Sequence, residues 1–171
     1  MQRIAVDMDG VLADVYPKFF YYDEMENGRR KTIEEVTGKA ELDAFEGIRK
    51  YVTSPGFFRD LSPVPDSQDV LKKLHDRYEV FIVSAATEFP LSLGEKHDWL
   101  NEHFPFISWK QMIFCGVKSI VDADIMIDDH FKHLDAFKNS TILFSQPHNL
   151  LRNAGRHKRV HTWLEIADIL L

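Results

Sequence analysis

Residues 4–14 read Ile-Ala-Val-Asp-Met-Asp-Gly-Val-Leu-Ala-Asp. An apolar run breaks into two carboxylates one residue apart, and a glycine follows. The apolar residues Ile4, Ala5 and Val6 suit a strand buried on both faces of a parallel sheet. Asp7 and Asp9 then lie where that strand runs into its loop, and open α/β sheets bind ligands along that carboxyl edge. Two anions placed there repel each other unless a cation or a proton offsets them. The run therefore points to a metal site, an acid–base pair, or both.

The same apolar-then-acidic ending recurs in Ile125-Met126-Ile127-Asp128-Asp129. Further strands are expected at 80–84, 111–114, 141–144 and 159–161, and helices over 67–78, 93–104 and 162–171. In the first of these helices Val70, Leu71 and Leu74 share one face, with Asp66 or Ser67 as N-cap. Strands alternating with helices predict a Rossmann-like α/β core whose parallel sheet is covered on both faces. Residues 15–65 break the alternation. They start aromatic-rich (Tyr16, Phe19, Phe20, Tyr21, Tyr22), turn charged, and show a helical pattern over 41–51 with no convincing strand. They close on the turn Ser54-Pro55-Gly56 and the stiff connector Pro63-Val64-Pro65. The expected organisation is a core of 1–14 and 66–171, with a small helical cap, 15–65, inserted after the first strand. A length of 171 residues with 44% apolar content suits one core and a small insertion.

A formal net charge of −6 argues against a binder of nucleic acid polymers, which needs clustered Lys and Arg. It leaves room for a small phosphorylated substrate in a local cationic pocket. Cys115, the single cysteine, excludes an internal disulfide and fits a reducing compartment. Asp7 and Asp9 interrupt the place where a secretory signal would need its apolar stretch. No apolar run approaches the roughly 20 residues that span a bilayer. A cytoplasmic protein with no membrane partner is expected, and the oligomeric state stays open, a homodimer included.

Four positions end strands or flank them: Asp7-x-Asp9, Ser84, Lys118 and Asp128-Asp129. In a parallel sheet they lie along one edge and can converge. Together they hold a nucleophile, an acid–base group, a hydroxyl, a cation and metal ligands, the set needed for phosphoryl transfer through a covalent aspartyl phosphate. Asp7 would attack phosphorus. Asp9 would protonate the leaving alkoxide and then deprotonate the hydrolytic water. Mg²⁺ prefers oxygen ligands, which Asp7, Asp128, Asp129 and a backbone carbonyl supply. Ser84, the backbone beyond it at Ala85, and Lys118 would hold the phosphate. Gly10 would let the backbone turn tightly beside the ligand.

These segments resemble the motifs of the haloacid dehalogenase superfamily of phosphatases, and within it those of the 5'(3')-deoxyribonucleotidases. Val6 to Asp14 is similar to the first motif, Phe81-Ile82-Val83-Ser84-Ala85 to the second, and Lys118 with Val121 to Asp129 to the third and fourth. The tail, from Ile142-Leu143-Phe144 through His148-Asn149 to Val160-His161-Thr162-Trp163, also resembles theirs. The resemblance covers 1–14 and about 66–171. It implies that Asp7 is the nucleophile and Asp9 the acid/base. It implies Mg²⁺ held by Asp7, the Asp9 main-chain carbonyl and Asp129, with Asp128 in support, and phosphate held by Ser84 and Lys118. It makes 15–65 a cap that closes over base and sugar, and it implies a nucleoside monophosphate substrate. Three departures stand out. The mid-cap aromatic pair that stacks on the base has no evident counterpart, with Phe45, Tyr51 and Phe57-Phe58 as candidate substitutes. Ala85-Ala86-Thr87 replaces a hydroxyl residue and proline. Gly116-Val117 stands where mammalian members carry arginine.

Blander readings compete. A lone Asp-x-Asp is usually a loop or capping pair, Ser84 alone a strand-end hydroxyl, and Lys118 alone a solvated lysine; only the ordered set lifts them. Asp7 to Gly10 lacks the further ligands of a calcium loop. The eight histidines do not make a zinc site, because His130 and His133 have helical spacing but only one cysteine accompanies them. They are expected to be solvated or capping, with His130 able to tune the site. The aromatics from Tyr16 to Tyr22 are expected to form cap core, one or two rings facing the substrate, and Cys115 to be a small buried apolar residue. Two alternatives remain: a phosphatase for sugar phosphates or other small metabolites, and a non-catalytic module that holds a metal or phospho-ligand.

Overall fold

The computed structural model describes residues 1–171. Six parallel strands form one sheet: β1 (Arg3–Val6), β4 (Glu79–Ser84), β5 (Met112–Phe114), β6 (Ile125–Asp128), β7 (Ser140–Phe144) and β8 (Lys158–Val160), in the order β5-β4-β1-β6-β7-β8. Alternate residues of the inner strands feed two separate apolar clusters. Ile4, Val6, Val80, Ile82, Ile125, Ile127 and Ile142 point to one face, and Ala5, Val83, Met126 and Leu143 to the other. Period-two alternation within continuously apolar strands is what a sheet covered on both sides requires. On the first face lie α5 (Ser67–His75) and α8 (Trp163–Leu170), with Val70, Leu71, Leu74, Trp163 and Ile166 buried. On the second lies α7 (Phe131–Ala136), a helix with no counterpart among those expected, which buries Phe131 and Leu134. The helix α6 (Ser92–His103) buries Trp99 and Leu100 in the first of these clusters.

Strand β1 is central, and the chain moves first to β4 on one side, then to β6 on the other. The reversal opens a crevice at the carboxyl end of β1. Register carries the acidic residues there. Val6 pairs with Ile82 and with Ile127, and the Asp7 amide donates to the Ile127 carbonyl at 2.9 Å.

Between β1 and β4 the chain forms α1 (Tyr16–Asn27), α2 (Ile33–Val36), α3 (Glu41–Ala44) and α4 (Ile48–Val52). The helical pattern over 41–51 is thus two short helices. Phe45 leaves helical geometry at φ −132°, and Gly47 caps the second helix. The break lets Phe45 insert into the aromatic cluster of Tyr16, Phe19 and Phe20, with ring centroids 5.4–6.2 Å away. The segment 15–65, expected to lack strand, does contribute one. Two short antiparallel strands, β2 (Ala13–Asp14) and β3 (Ser62–Pro63), pair Ala13 with Pro63 and Asp14 with Ser62. They bring the way into the helical segment beside the way out. Each arm is also fastened to a core helix by an indole. Trp163 Nε1 donates to the Val11 carbonyl at 2.8 Å, and Trp99 Nε1 to the Leu61 carbonyl at 2.7 Å.

Cys115 is only half-buried, not the enclosed residue expected, because it lies just beyond the end of the edge strand β5. No helix is long and apolar enough to cross a membrane.

Candidate active site

The carboxyl edge of the sheet opens into a cavity of about 240 Å³, whose lining includes Asp7, Asp9, Ala85, Lys118 and Asp129. Asp7 follows the last residue of β1 and is 7% exposed. Its Oδ1 accepts from the Met8 amide at 2.7 Å and pairs with Lys118 at 2.6 Å, which leaves Oδ2 for the cavity. Lys118, 2% exposed, also donates to Asp128 Oδ2 at 2.7 Å. The three carboxylates of Asp7, Asp128 and Asp129 each bring an oxygen within 4.8 Å of the others. One cation faces three buried anions. Burial and the Asp128 charge push Asp7 above the usual carboxylate range, and Lys118 pulls it back. Asp129 is pushed well above that range by burial and by Asp7 and Asp128. Lys118, though burial alone would lower it, is raised by Asp128 and Asp7 and stays protonated.

Asp129 Oδ1 is buried with no hydrogen-bond partner. Its backbone is fixed by Asn149 Nδ2, 2.8 Å from the Asp129 carbonyl, and by His148 Nε2 at 3.1 Å. Gly10, at φ +76°, lies so close to the Asp129 carboxylate that a Cβ there would overlap it. An all-oxygen, negatively charged set with one buried oxygen unpartnered, and no imidazole or thiolate in it, fits a hard divalent cation such as Mg²⁺.

Asp9 points into the same cavity and forms an ion pair with Lys96. Lys96 is the residue that sequence reasoning missed. It is 1% exposed on α6, donates to Ser84 Oγ at 3.0 Å, and lies 4.3 Å from the Phe58 ring centroid. A signal existed, since Lys96 falls three and four residues before Trp99 and Leu100, on the buried stripe of the helix. Ser84 itself is fully buried and does not line the cavity, whereas Ala85 does. Beyond Ser84 the amides of Ala85, Ala86 and Thr87 donate to no carbonyl of the chain. Of these three residues Ala85 lines the cavity, as Lys96 and Lys118 do.

The far side of the cavity comes from the inserted helices: Val15, Phe19, Glu41, Leu42, Ile48, Arg49, Val52 and Phe58. Of the aromatics considered in the sequence, Phe19 and Phe58 reach it. Phe45, Tyr51 and Phe57 are buried in the helical cluster, and Tyr21 is exposed. His130 and His133 also line the cavity. His133 is depressed to about 3, chiefly by burial and the Lys118 charge, and is neutral at physiological pH.

Comparisons with known proteins bear on the family and the fold. Residues 1–171 match the family described as 5' nucleotidase, deoxy (pyrimidine), cytosolic type C protein. The chain is 39% identical over 177 residues to the 5'(3')-deoxyribonucleotidase of Bacillus subtilis, covering 98% of each chain, and equally to that of Bacillus phage SPbeta. Among solved structures it is similar to a haloacid dehalogenase-like hydrolase from Streptococcus pneumoniae, at TM-score 0.67 and 15% identity over 100% of this chain and 99% of that one. At that identity the likeness concerns the fold.

Proposed function

The chain belongs to the cytosolic type C deoxy-5'-nucleotidase family, and from that premise we propose that it is a Mg²⁺-dependent phosphomonoesterase acting on deoxyribonucleoside monophosphates through phospho-Asp7. The observation that carries this reading is the setting of Asp7. One carboxylate oxygen is tied to the Met8 amide and Lys118, and the other faces a cavity that it shares with Asp9.

In the proposed reaction the phosphoryl group sits between the amides of Ala85 to Thr87, Lys96 and Lys118. Asp7 Oδ2 attacks phosphorus as the bond to the leaving oxygen breaks, and Asp9 gives that oxygen its proton. Asp9, now ionised, takes a proton from water; the water attacks the same phosphorus, and the Asp7–phosphorus bond breaks to release inorganic phosphate. Ser84 acts through Lys96, whose ammonium it helps to fix. Asp7 and Asp129, with Asp128 in support, would hold the cation, and the family resemblance adds the Asp9 main-chain carbonyl. Its chemistry is to offset the cluster's negative charge and the phosphate's, so that a carboxylate can approach a phosphate dianion. Residues 15–65 act as the cap, with Phe19, Phe58, Ile48 and Val52 offering an apolar wall to the leaving group.

The test is phosphate release from a panel of deoxy- and ribonucleoside monophosphates and sugar phosphates, with Mg²⁺ and with EDTA. Metal-dependent release that favours deoxynucleotides and vanishes in Asp7→Asn supports the reading. Full activity in that variant rejects the mechanism, and release from sugar phosphates alone rejects the substrate.

A further inference from the structure

Glu41, in α3, lines the cavity on its cap side and has no role in the steps above. Its two carboxylate oxygens lie 3.7 Å from His130 Nε2 and 3.7 Å from His148 Nδ1, beyond hydrogen-bond distance of both. No hydrogen bond in the structure engages its carboxylate. The imidazoles are themselves constrained. The His148 amide donates to Tyr16 Oη at 3.2 Å, Tyr16 Oη lies 3.1 Å from His148 Nδ1, and His148 Nε2 lies 3.1 Å from the Asp129 carbonyl. A metal held by Glu41 and the two histidines does not fit this arrangement. Their rings stack at 4.4 Å with 16° between planes, and in-plane lone pairs on parallel rings cannot meet at one ion.

What remains is a carboxylate with unfilled acceptor positions, mounted on the cap and opposite the phosphoryl site. Around it the wall is apolar, with Leu42, Ile48, Val52, Phe19 and Phe58. Besides the phosphoryl site's own charges, the charged neighbours on the same lining are Arg49 from the cap and Glu88 and Lys132 from the core, all exposed. In such a wall a half-buried acceptor contributes to binding when it receives a hydrogen bond and opposes binding when it meets another anion.

We propose that Glu41 reads the leaving group: it accepts a hydrogen bond from a donor on the departing alcohol and turns away departing alcohols that carry a second negative charge. Glu41 is then a specificity-determining residue on the cap side of the cavity. The inference rests on the phosphatase reading, and its test stands apart from the nucleotide assignment.

Two matched substrate pairs serve, assayed at pH 8 with Mg²⁺: a deoxyribonucleoside 5'-monophosphate against its 3',5'-bisphosphate, and phenyl phosphate against 4-carboxyphenyl phosphate. In wild type the member with the charged leaving group is the poorer substrate. Glu41→Gln keeps the shape and removes the charge. It should raise the ratio of kcat/KM, charged over uncharged, by about tenfold, the scale of one like-charge contact in a partly screened site, with the change mainly in KM. Glu41→Asp keeps the charge and should keep the ratio near that of wild type. An unchanged ratio in Glu41→Gln in the aryl pair, or an equal loss on both of its members, overturns the proposal and leaves Glu41 as a contact to the two histidines. Failure of wild type to turn over the deoxynucleotide rejects the nucleotide assignment alone, and the aryl pair still decides the role of Glu41.

Discussion

Asp129→Asn should make the protein more stable in EDTA while removing its activity. Asp7, Asp128 and Asp129 hold oxygens within 4.8 Å of one another, and Lys118 spans only the first two, at 2.6 and 2.7 Å. At that separation and an effective dielectric near 20, each like-charge pair costs about 3.5 kcal/mol. Asp129 faces two such partners, so at that outer limit of separation neutralising it relieves about 7 kcal/mol before relaxation. Protonation sets a ceiling. A carboxyl starting from 3.8 can escape repulsion by binding a proton, which at about pH 7.5 costs no more than about 5 kcal/mol. With the Lys118 attraction subtracted, the expected gain is about 2–4 kcal/mol, read as a higher urea midpoint in EDTA at pH 7.5.

The pH dependence follows in sign. A folded pKa above the unfolded one means that the folded state binds more protons between the two values. The metal-free wild type therefore loses stability as pH rises from 3.8 through the folded value of Asp129; Asp129→Asn lacks that share and keeps the losses of the same sign from Asp7, Asp14 and Glu41, which are also raised. His133 and His148, depressed to about 3 and about 4, oppose these losses in both proteins below about pH 6.5. The difference between the two proteins is thus the quantity to read. Mg²⁺ should raise the wild-type midpoint and move the variant much less. A midpoint for Asp129→Asn in EDTA equal to or below that of wild type would refute the reasoning.

Two further outcomes are expected. Lys96→Met removes the cation paired with Asp9 and keeps the volume of the stem. Phosphate release should lose about 10²–10³ in kcat/KM with a small change in urea midpoint, and a loss below fivefold contradicts a role at the phosphoryl group. Gly10→Ala forces a side chain into φ +76° and against the Asp129 carboxylate, so it should cost about 1–3 kcal/mol in the urea midpoint and weaken Mg²⁺-dependent turnover.

The core was legible because its strands are continuous apolar runs ending in carboxylates, a pattern that a doubly covered parallel sheet imposes directly. Asp7, Lys118, Asp128 and Asp129 could be named because each ends a strand or flanks one, and the structure brings all four together. Ser84 was placed at the right strand end, but what its hydroxyl touches depends on Lys96, 12 residues away on α6, and a lysine on an amphipathic helix reads as solvated. Glu41 was invisible for a similar reason. Its neighbours His130 and His148 are distant in sequence and meet it only once the helical segment folds back over the sheet. The division of 41–51 into two helices reflects aromatic packing of Phe45, a tertiary demand that overrides local periodicity.

Trp99 and Trp163 each grip one arm of the β2–β3 ribbon, while the third tryptophan, Trp109, is 72% exposed. Any swing of the helical segment that lengthens either indole–carbonyl bond changes the surroundings of a buried fluorophore, while Trp109 supplies a steady, quenchable background. The base of the helical segment therefore carries its own optical gauge, one indole for each arm. Closure over a ligand becomes readable from intrinsic emission without an added label.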